Sequence, residues 1–477
     1  MVLPAAGARP VADPGASDRR HAVALAALVV AIVWGLMTHG TFAGSGDEPH
    51  YLVIAHSVAF DADLDVSNNY RDALLPGGGT LEPGAHARWR DGRLRPVHDI
   101  GMPLLLAPVL RIAYPVAAWA GRTLPPAWLE AARLHPALLL RHQLSLLMAI
   151  VTALVARELF ALLRRLGATP RGAMAAALLF AVSPPVLSHS FLLFTEIPAA
   201  LVVLFVFRRL TAESGHTTPL VAVLGALTGL LVLIHVRNVG LTLGLALTAV
   251  LATRRGALSR RHLAVFGVSL AAGVLVRVAT TYVMWGSAFA TPHAAPGSFS
   301  GAGVFVREIF VRATGLLFDR EYGLLAYAPV YLLAVPGVLL LASHRGHLFK
   351  AMCLVLGGYL VPVLLPVTNV HGWTGGWSPA ARFLVPVAPL LWVAVHESAA
   401  RASGGWRGIV AAIALVQILI NAFVWQWPKA LWNDGDGVSA FAGAAWLPTW
   451  TDASHWPAFA ALLGATLGAA YVCRRRC

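Results

Sequence analysis

Cysteine is almost absent from this chain, and charge is scarce. Three cysteines stand in 477 residues, Cys353 inside an apolar run and Cys473 and Cys477 at the terminus. That spacing builds neither a disulfide framework nor a metal site. Charged residues make up 12% of the sequence, against roughly 25% in a soluble globular domain, so water cannot be the only solvent. Acidic residues are scarcer than basic ones, 22 against 36, which leaves a net charge of +14. The excess does not point to nucleic acid, because Lys and Arg accumulate at the cytoplasmic ends of membrane spans. The local motifs of soluble catalysts are missing too. There is no Gly-Lys-Ser/Thr phosphate loop, no Gly-x-Gly-x-x-Gly opening a βαβ unit, no Gly-x-Ser-x-Gly elbow and no His-Glu-x-x-His. These absences exclude an ATP site and a soluble nucleotide fold.

What the chain has instead is apolar runs that continue for roughly 16 to 22 residues, the length a helix needs to cross a bilayer. They fall near 22–43, 102–120, 140–163, 172–188, 197–210, 218–234, 238–252, 262–283, 323–342, 350–368, 383–398, 408–425 and 457–472. Basic clusters mark the cytoplasmic ends: Arg19 and Arg20, Arg164 and Arg165, Arg208 and Arg209, then the stretches 254–261, 345–350, 401–407 and 474–476. Between the first cluster and Arg164 only two crossings fit, yet three candidates lie there. The segment 102–120, short and carrying Arg111 and Pro115, is therefore expected to lie along the outer interface. Every later cluster then falls inside.

The expected fold is all-α, a polytopic membrane protein with about twelve transmembrane helices and both termini in the cytoplasm of an inner (plasma) membrane. A tail at 1–21 precedes one transmembrane domain at 22–477, and nothing is expected to be cleaved. With this topology about 17 of the 22 carboxylates lie outside. The outer loops run over 44–139, including the membrane-lying helix, 284–322 and 428–456. None is large enough to fold alone, so a site has to form between loops and helix ends.

Four polar stretches interrupt the apolar pattern. The first outer loop opens with Gly46-Asp47-Glu48-Pro49-His50-Tyr51, and two adjacent carboxylates at a membrane boundary call for a cation, a metal or a substrate proton. Alternatively Asp47 caps the helix that follows. The second stretch runs from Ser188 through His189 to Thr195-Glu196-Ile197-Pro198, with a first-turn role beside Pro198 as the other reading of Glu196. The third, Ile234-His235-Val236-Arg237-Asn238, places an arginine between two apolar runs, where it must meet an anion, a carboxylate or a helix-end carbonyl. The fourth runs His371-Gly372-Trp373-Thr374-Gly375-Gly376-Trp377-Ser378 into Ala381-Arg382-Phe383-Leu384-Val385-Pro386. Its tryptophans suit sugar rings or the membrane interface, and its arginine suits a phosphate.

This arrangement resembles the GT-C superfamily of membrane glycosyltransferases, which includes the protein O-mannosyltransferases and the lipid A aminoarabinose transferases. The likeness covers most of the chain as architecture and rests on few specific residues. In that superfamily an acidic pair opens the first external loop, matched by Asp47 and Glu48, and the resemblance implies that the aspartate is the catalytic base or binds the acceptor. His98-Asp99-Ile100-Gly101-Met102-Pro103 is similar to the His/Pro entry of the family's juxtamembrane helix, except that Asp99-Ile100-Gly101 replaces the consecutive prolines. Glu196 matches a second acidic position, Arg237 a short cationic break after a Gly-bearing span (Gly225, Gly229), and Arg382 an Arg-Tyr/Phe-Leu-x-Pro entry. The implied activity is transfer of a sugar from a polyprenyl-phosphate donor to a lipid, glycan or protein hydroxyl at the outer face.

The candidate catalytic residues are then Asp47, Glu48 and Glu196, and the candidate substrate contacts are His98, His189, Arg237, His371 and Arg382. If the site holds a metal, oxygen ligands from Glu48 or Glu196 point to Mg²⁺ or Mn²⁺. A polytopic transporter or flippase is the rival reading, and so is a non-catalytic polysaccharide-assembly protein. The transporter predicts charges at span centres, whereas here only Arg277 sits deep in an apolar run.

Overall fold

A hydrocarbon solvent forces each segment to satisfy its own backbone hydrogen bonds, and helices dominate the computed structural model accordingly. It describes residues 16–39, 46–71, 81–131, 136–290, 292, 302–365, 373–432, 447–450 and 453–476. The chain begins with α1 (Ala16–Val33), α2 (Glu48–His56) and α3 (Ser67–Arg71), then a hairpin of β1 (Ala87–Arg90) and β2 (Arg93–Pro96). Next come α4 (Gly101–Thr123), α5 (Pro126–Ala131), α6 (Pro136–Arg165), α7 (Pro170–Ala181), α8 (Val186–His189) and α9 (Glu196–Leu210). The remaining helices are α10 (Thr218–Ile234), α11 (Val239–Arg254), α12 (Arg260–Trp285), α13 (Ala302–Phe318), α14 (Ala334–His344), α15 (Gly346–Leu364), α16 (Ala388–Ala400), α17 (Gly405–Gln426) and α18 (Trp456–Arg476).

Each of the apolar segments expected from the sequence overlaps at least one of these helices, although 323–342 becomes α-helical only at Ala334 and 172–188 is divided between α7 and α8. Among the described residues, eight helices are long and apolar enough to cross a membrane. α13 was not expected. It lies in the stretch 284–322 read as loop, because Arg307, Glu308 and Arg312 interrupt its apolar residues.

The helix ends sort into two faces. α1 and α6 run side by side, with the Trp34 indole donating to the His142 carbonyl at one end and Arg164 paired with Asp18 at the other (3.0 Å). At the Arg164 end, Arg165 donates to Thr211 (2.6 Å) and Arg345 to the Leu166 carbonyl (2.7 Å). Glu397 there receives both Arg345 (3.4 Å) and Arg401 (2.6 Å). The basic clusters at Arg164–Arg165, Arg208–Arg209, 345–350 and 401–407 thus meet on one face with the start of α1, as the charge pattern requires. Asp47, Asp99, Glu196 and Arg237 lie toward the other.

α4 is held at both of its ends. Gly101 at its start packs on the backbone of Leu233 and Ile234 at the end of α10, while Gly121 near its close faces Leu139 at the start of α6. Both contacts fall at the ends of those helices away from the arginine face, and α4, at 23 residues, is itself one of the eight helices long and apolar enough to cross. Its outward residues Leu104, Ile112, Val116 and Trp119 are apolar, which suits an interfacial position.

Small residues set the closest helix contacts, because lipid offers no hydrophobic force to press helices together. Gly225 and Gly229 on α10 meet α12, Gly240 and Gly244 on α11 meet α15, and Gly337 on α14 meets the Ala394 carbonyl of α16. α7 has only 12 residues, roughly 18 Å at 1.5 Å per residue, well short of a ~30 Å hydrocarbon core. The segment that follows is accordingly sunk into the bundle, with every residue from 183 to 200 buried.

Candidate functional site

The sunken segment carries Phe194, Thr195 and Glu196 into the protein interior, where a charge needs partners. Arg382 supplies one. Its chain enters a 3-10 turn, Arg382–Val387, from Ala381 at φ +58°, and the side chain reaches across the bundle. Nε donates to Glu196 Oε1 (2.7 Å), Nη2 to Asp47 Oδ2 (2.8 Å) and Nη1 to the Gly375 carbonyl (3.0 Å), with the guanidinium 4.3 Å from the Phe194 ring centre. Arg237 stands in the turn Val236–Asn238 between α10 and α11. Its Nη2 also donates to Glu196 Oε1 (3.1 Å), and its guanidinium lies 3.9 Å from the Phe383 ring. The Arg237 Nε is buried without a hydrogen-bond partner.

Two guanidiniums and two carboxylates therefore share one network, drawn from four distant stretches of chain. Its carboxylates are not equivalent. The Glu196 side chain is 1% exposed and the Asp47 side chain 23%, so Asp47 is the one a ligand can reach. Asp47 occupies the N-cap position of α2 but makes no side-chain cap bond. The capping role is not adopted, because the carboxylate is turned to Arg382.

Glu48 does different work. It pairs with Arg141 of α6 and accepts the Leu193 N–H (2.8 Å), which ties α2, α6 and the sunken segment together. Glu48 and Glu196, the carboxylates expected to hold a hard cation, are each paired with arginine. Arg277, read as lying deep in a span, meets Asp99 at the start of α4 (2.8 Å), and Asp99 also accepts the Val236 N–H (2.6 Å). Burial pushes the Asp99 carboxyl up, partly offset by Arg277.

The histidines divide. His189 is fully buried, its Nδ1 on the Pro185 carbonyl (2.8 Å) and its Nε2 without a partner. His98 faces the hairpin, its Nε2 2.8 Å from His86 Nδ1. The His50 ring stacks on His86 at 3.6 Å, and its Nδ1 meets the Tyr70 hydroxyl (2.6 Å). Burial, then the neighbouring His86, lowers His50 to about 4, and burial lowers His86 as well. Among the described residues, Asp47, His86 and His98 are the grouping with metal-ligand spacing. His371 lies outside the described residues. Of the two tryptophans, Trp373 is buried, edge-on to Tyr322 (5.4 Å), while Trp377 is 64% exposed, as an interfacial anchor would be.

No family model, curated protein or solved structure matches this chain. The site's own geometry therefore carries the functional reading. Sequence reasoning named Asp47, Glu196, Arg237 and Arg382, and the fold brings these four together. It missed Arg141 and His86. Arg141 sits two residues into an apolar run, where it reads as a boundary charge. His86 is separated from His98 by a hairpin whose signal was an Asp91-Gly92 pair between short alternating runs.

Proposed function

We propose that the chain is a membrane glycosyltransferase that moves a sugar from a polyprenyl-phosphate donor to an acceptor hydroxyl at the outer face of the membrane. The observation that supports it best is the Arg382 guanidinium, held below that face between an accessible carboxylate, Asp47, and a buried one, Glu196. A lipid phosphate arriving from the bilayer meets two arginines already desolvated. Its oxygens compete with Asp47 for Arg382, because charge-assisted Arg–phosphate bonds match Arg–carboxylate bonds in kind. Released from Arg382, Asp47 accepts the proton of the acceptor hydroxyl as that oxygen forms its bond to the anomeric carbon. The carbon–oxygen bond to phosphate breaks on the opposite side, and the polyprenyl phosphate leaves with the electron pair, paired to Arg382 and Arg237. The product is inverted. Positioned base catalysis of this kind contributes roughly 10² to 10⁴-fold.

The same reading gives α4 the outer interface and counts twelve crossings, with the arginine face in the cytoplasm of an inner membrane. The test is transfer in detergent or liposomes from a panel of polyprenyl-phosphate sugars, with and without Mg²⁺ or Mn²⁺ after chelation. The intact chain should transfer at least one sugar, and Asp47→Asn, which keeps the side chain's shape but cannot take a proton, should lose at least about 100-fold in turnover with donor binding retained. Near-normal turnover in Asp47→Asn removes the base from the mechanism. Translocation of a lipid-linked sugar without transfer favours the transporter instead.

A further inference from the structure

We propose that Asp47, His86 and His98 form a binding site for a divalent transition metal of the zinc class. The ligand atoms of these three residues all lie within 4.8 Å of one another. They come from three places: the start of α2, the residue before β1, and the approach to α4. The hairpin is the device that joins the histidines. β1 and β2 pair Ala87 with Pro96 and Arg90 with Arg93, closed by Asp91 and Gly92 at φ +50° and +72°, the two-residue turn that matches strand twist. Val97 donates back to the His86 carbonyl (3.1 Å), so residues twelve apart in sequence end side by side.

The two ring nitrogens point at each other at 2.8 Å. One explanation is a single shared proton. A cation between them satisfies both lone pairs, and with metal–nitrogen bonds of 2.0–2.1 Å in tetrahedral geometry the nitrogens stand about 3.3 Å apart, an opening of about half an ångström. Outer contacts fix the rings in place, as metal-binding imidazoles require. His50 stacks on His86 and is itself held by Tyr70, while Tyr51 packs 5.0 Å from His98. Arg382 orients the Asp47 carboxylate through Oδ2. Asp47 and His86 are partly exposed, which leaves the ion a path in. Two imidazoles and one carboxylate suit Zn²⁺ and its neighbours rather than Mg²⁺, and three protein ligands leave a fourth position for water.

This site stands without the transferase reading; under that reading the ion and the proton compete for Asp47, so bound Zn²⁺ slows transfer. The test uses the full chain purified in detergent and stripped with a chelator, titrated with Co²⁺ and then Zn²⁺, and checked by X-ray absorption at the zinc edge. Expected are one ion per chain, a four-coordinate Co²⁺ spectrum displaced by Zn²⁺, and imidazole scattering in the zinc shell. His86→Ala and His98→Ala should each weaken Zn²⁺ on the order of tenfold or more, while His142→Ala, which alters a ring stacked on Trp34, should not. The absorption spectrum of the unmutated chain decides the matter even if an alanine variant fails to fold. Absence of stoichiometric binding, a zinc shell without imidazole, or unchanged affinity in folded His86→Ala and His98→Ala overturns the proposal.

Discussion

Each of the three guanidinium nitrogens of Arg382 donates to a different partner, and no lysine can copy that. A single ammonium cannot span Asp47, Glu196 and the Gly375 carbonyl, although it keeps the charge. Arg382→Lys is therefore expected to raise the donor KM about tenfold or more, the loss of one charge-assisted bond, with a smaller change in kcat; steady-state kinetics on the donor checks this. Glu48 invites the opposite expectation. It is adjacent to Asp47 in sequence, but its pairing with buried Arg141 makes it a strut. Glu48→Gln leaves that guanidinium without its counter-charge and should lower stability by about 3 to 5 kcal/mol, seen as a drop in the thermal unfolding temperature in detergent. Activity per folded molecule should hold. Loss of turnover in a stable Glu48→Gln protein would return Glu48 to the chemistry. At this scale the sequence tells which residues are costly to bury. It does not tell which carboxylate turns to which arginine, because a step of one residue along α2 swings a side chain by 100°.

The closest helix approaches in this chain are made at glycines. Gly225 and Gly229 stand four apart on α10, and Cβ atoms there would meet the Phe266 and Leu270 carbonyls of α12. Gly240 and Gly244 repeat the spacing against α15. Such small-residue faces let backbones approach closely enough for dispersion to hold them. Gly229→Leu should force α10 and α12 apart, lowering the yield of monodisperse protein; a control at Gly267, which nothing approaches within 4 Å, should leave the yield near normal. Fluorescence-detected gel filtration compares the two. The glycine spacing is legible in the sequence, but its partner helix is not, because an apolar face carries no label for the neighbour it meets. α13 escaped notice for a related reason, since charges within it lowered its hydropathy without preventing a helix.

Across the whole molecule, the arginine-bearing ends share one face and the Asp47 network the other, which makes sidedness measurable. With Cys353, Cys473 and Cys477 replaced by serine, Ser67→Cys should react with an impermeant maleimide in intact cells and Ser343→Cys only after permeabilisation. Labelling of Ser343→Cys from outside contradicts the proposed orientation. The sequence by itself determined the solvent, the helical class, the places of the strongly apolar helices and the grouping of basic ends, since each follows from local hydropathy, charge and the need to satisfy every backbone group within its own segment. Only the tertiary structure decided that the start of α4 meets the end of α10 and its close meets the start of α6, since nothing in its 23 residues names those neighbours. It also decided that Glu48 answers Arg141 while Asp47 and Glu196 answer Arg382, and that His86 meets His98. Those outcomes depend on which buried charges find each other across 93 to 335 residues of chain and on a hairpin register, and neither the charges nor the strands carry their partner's address in their own neighbourhood.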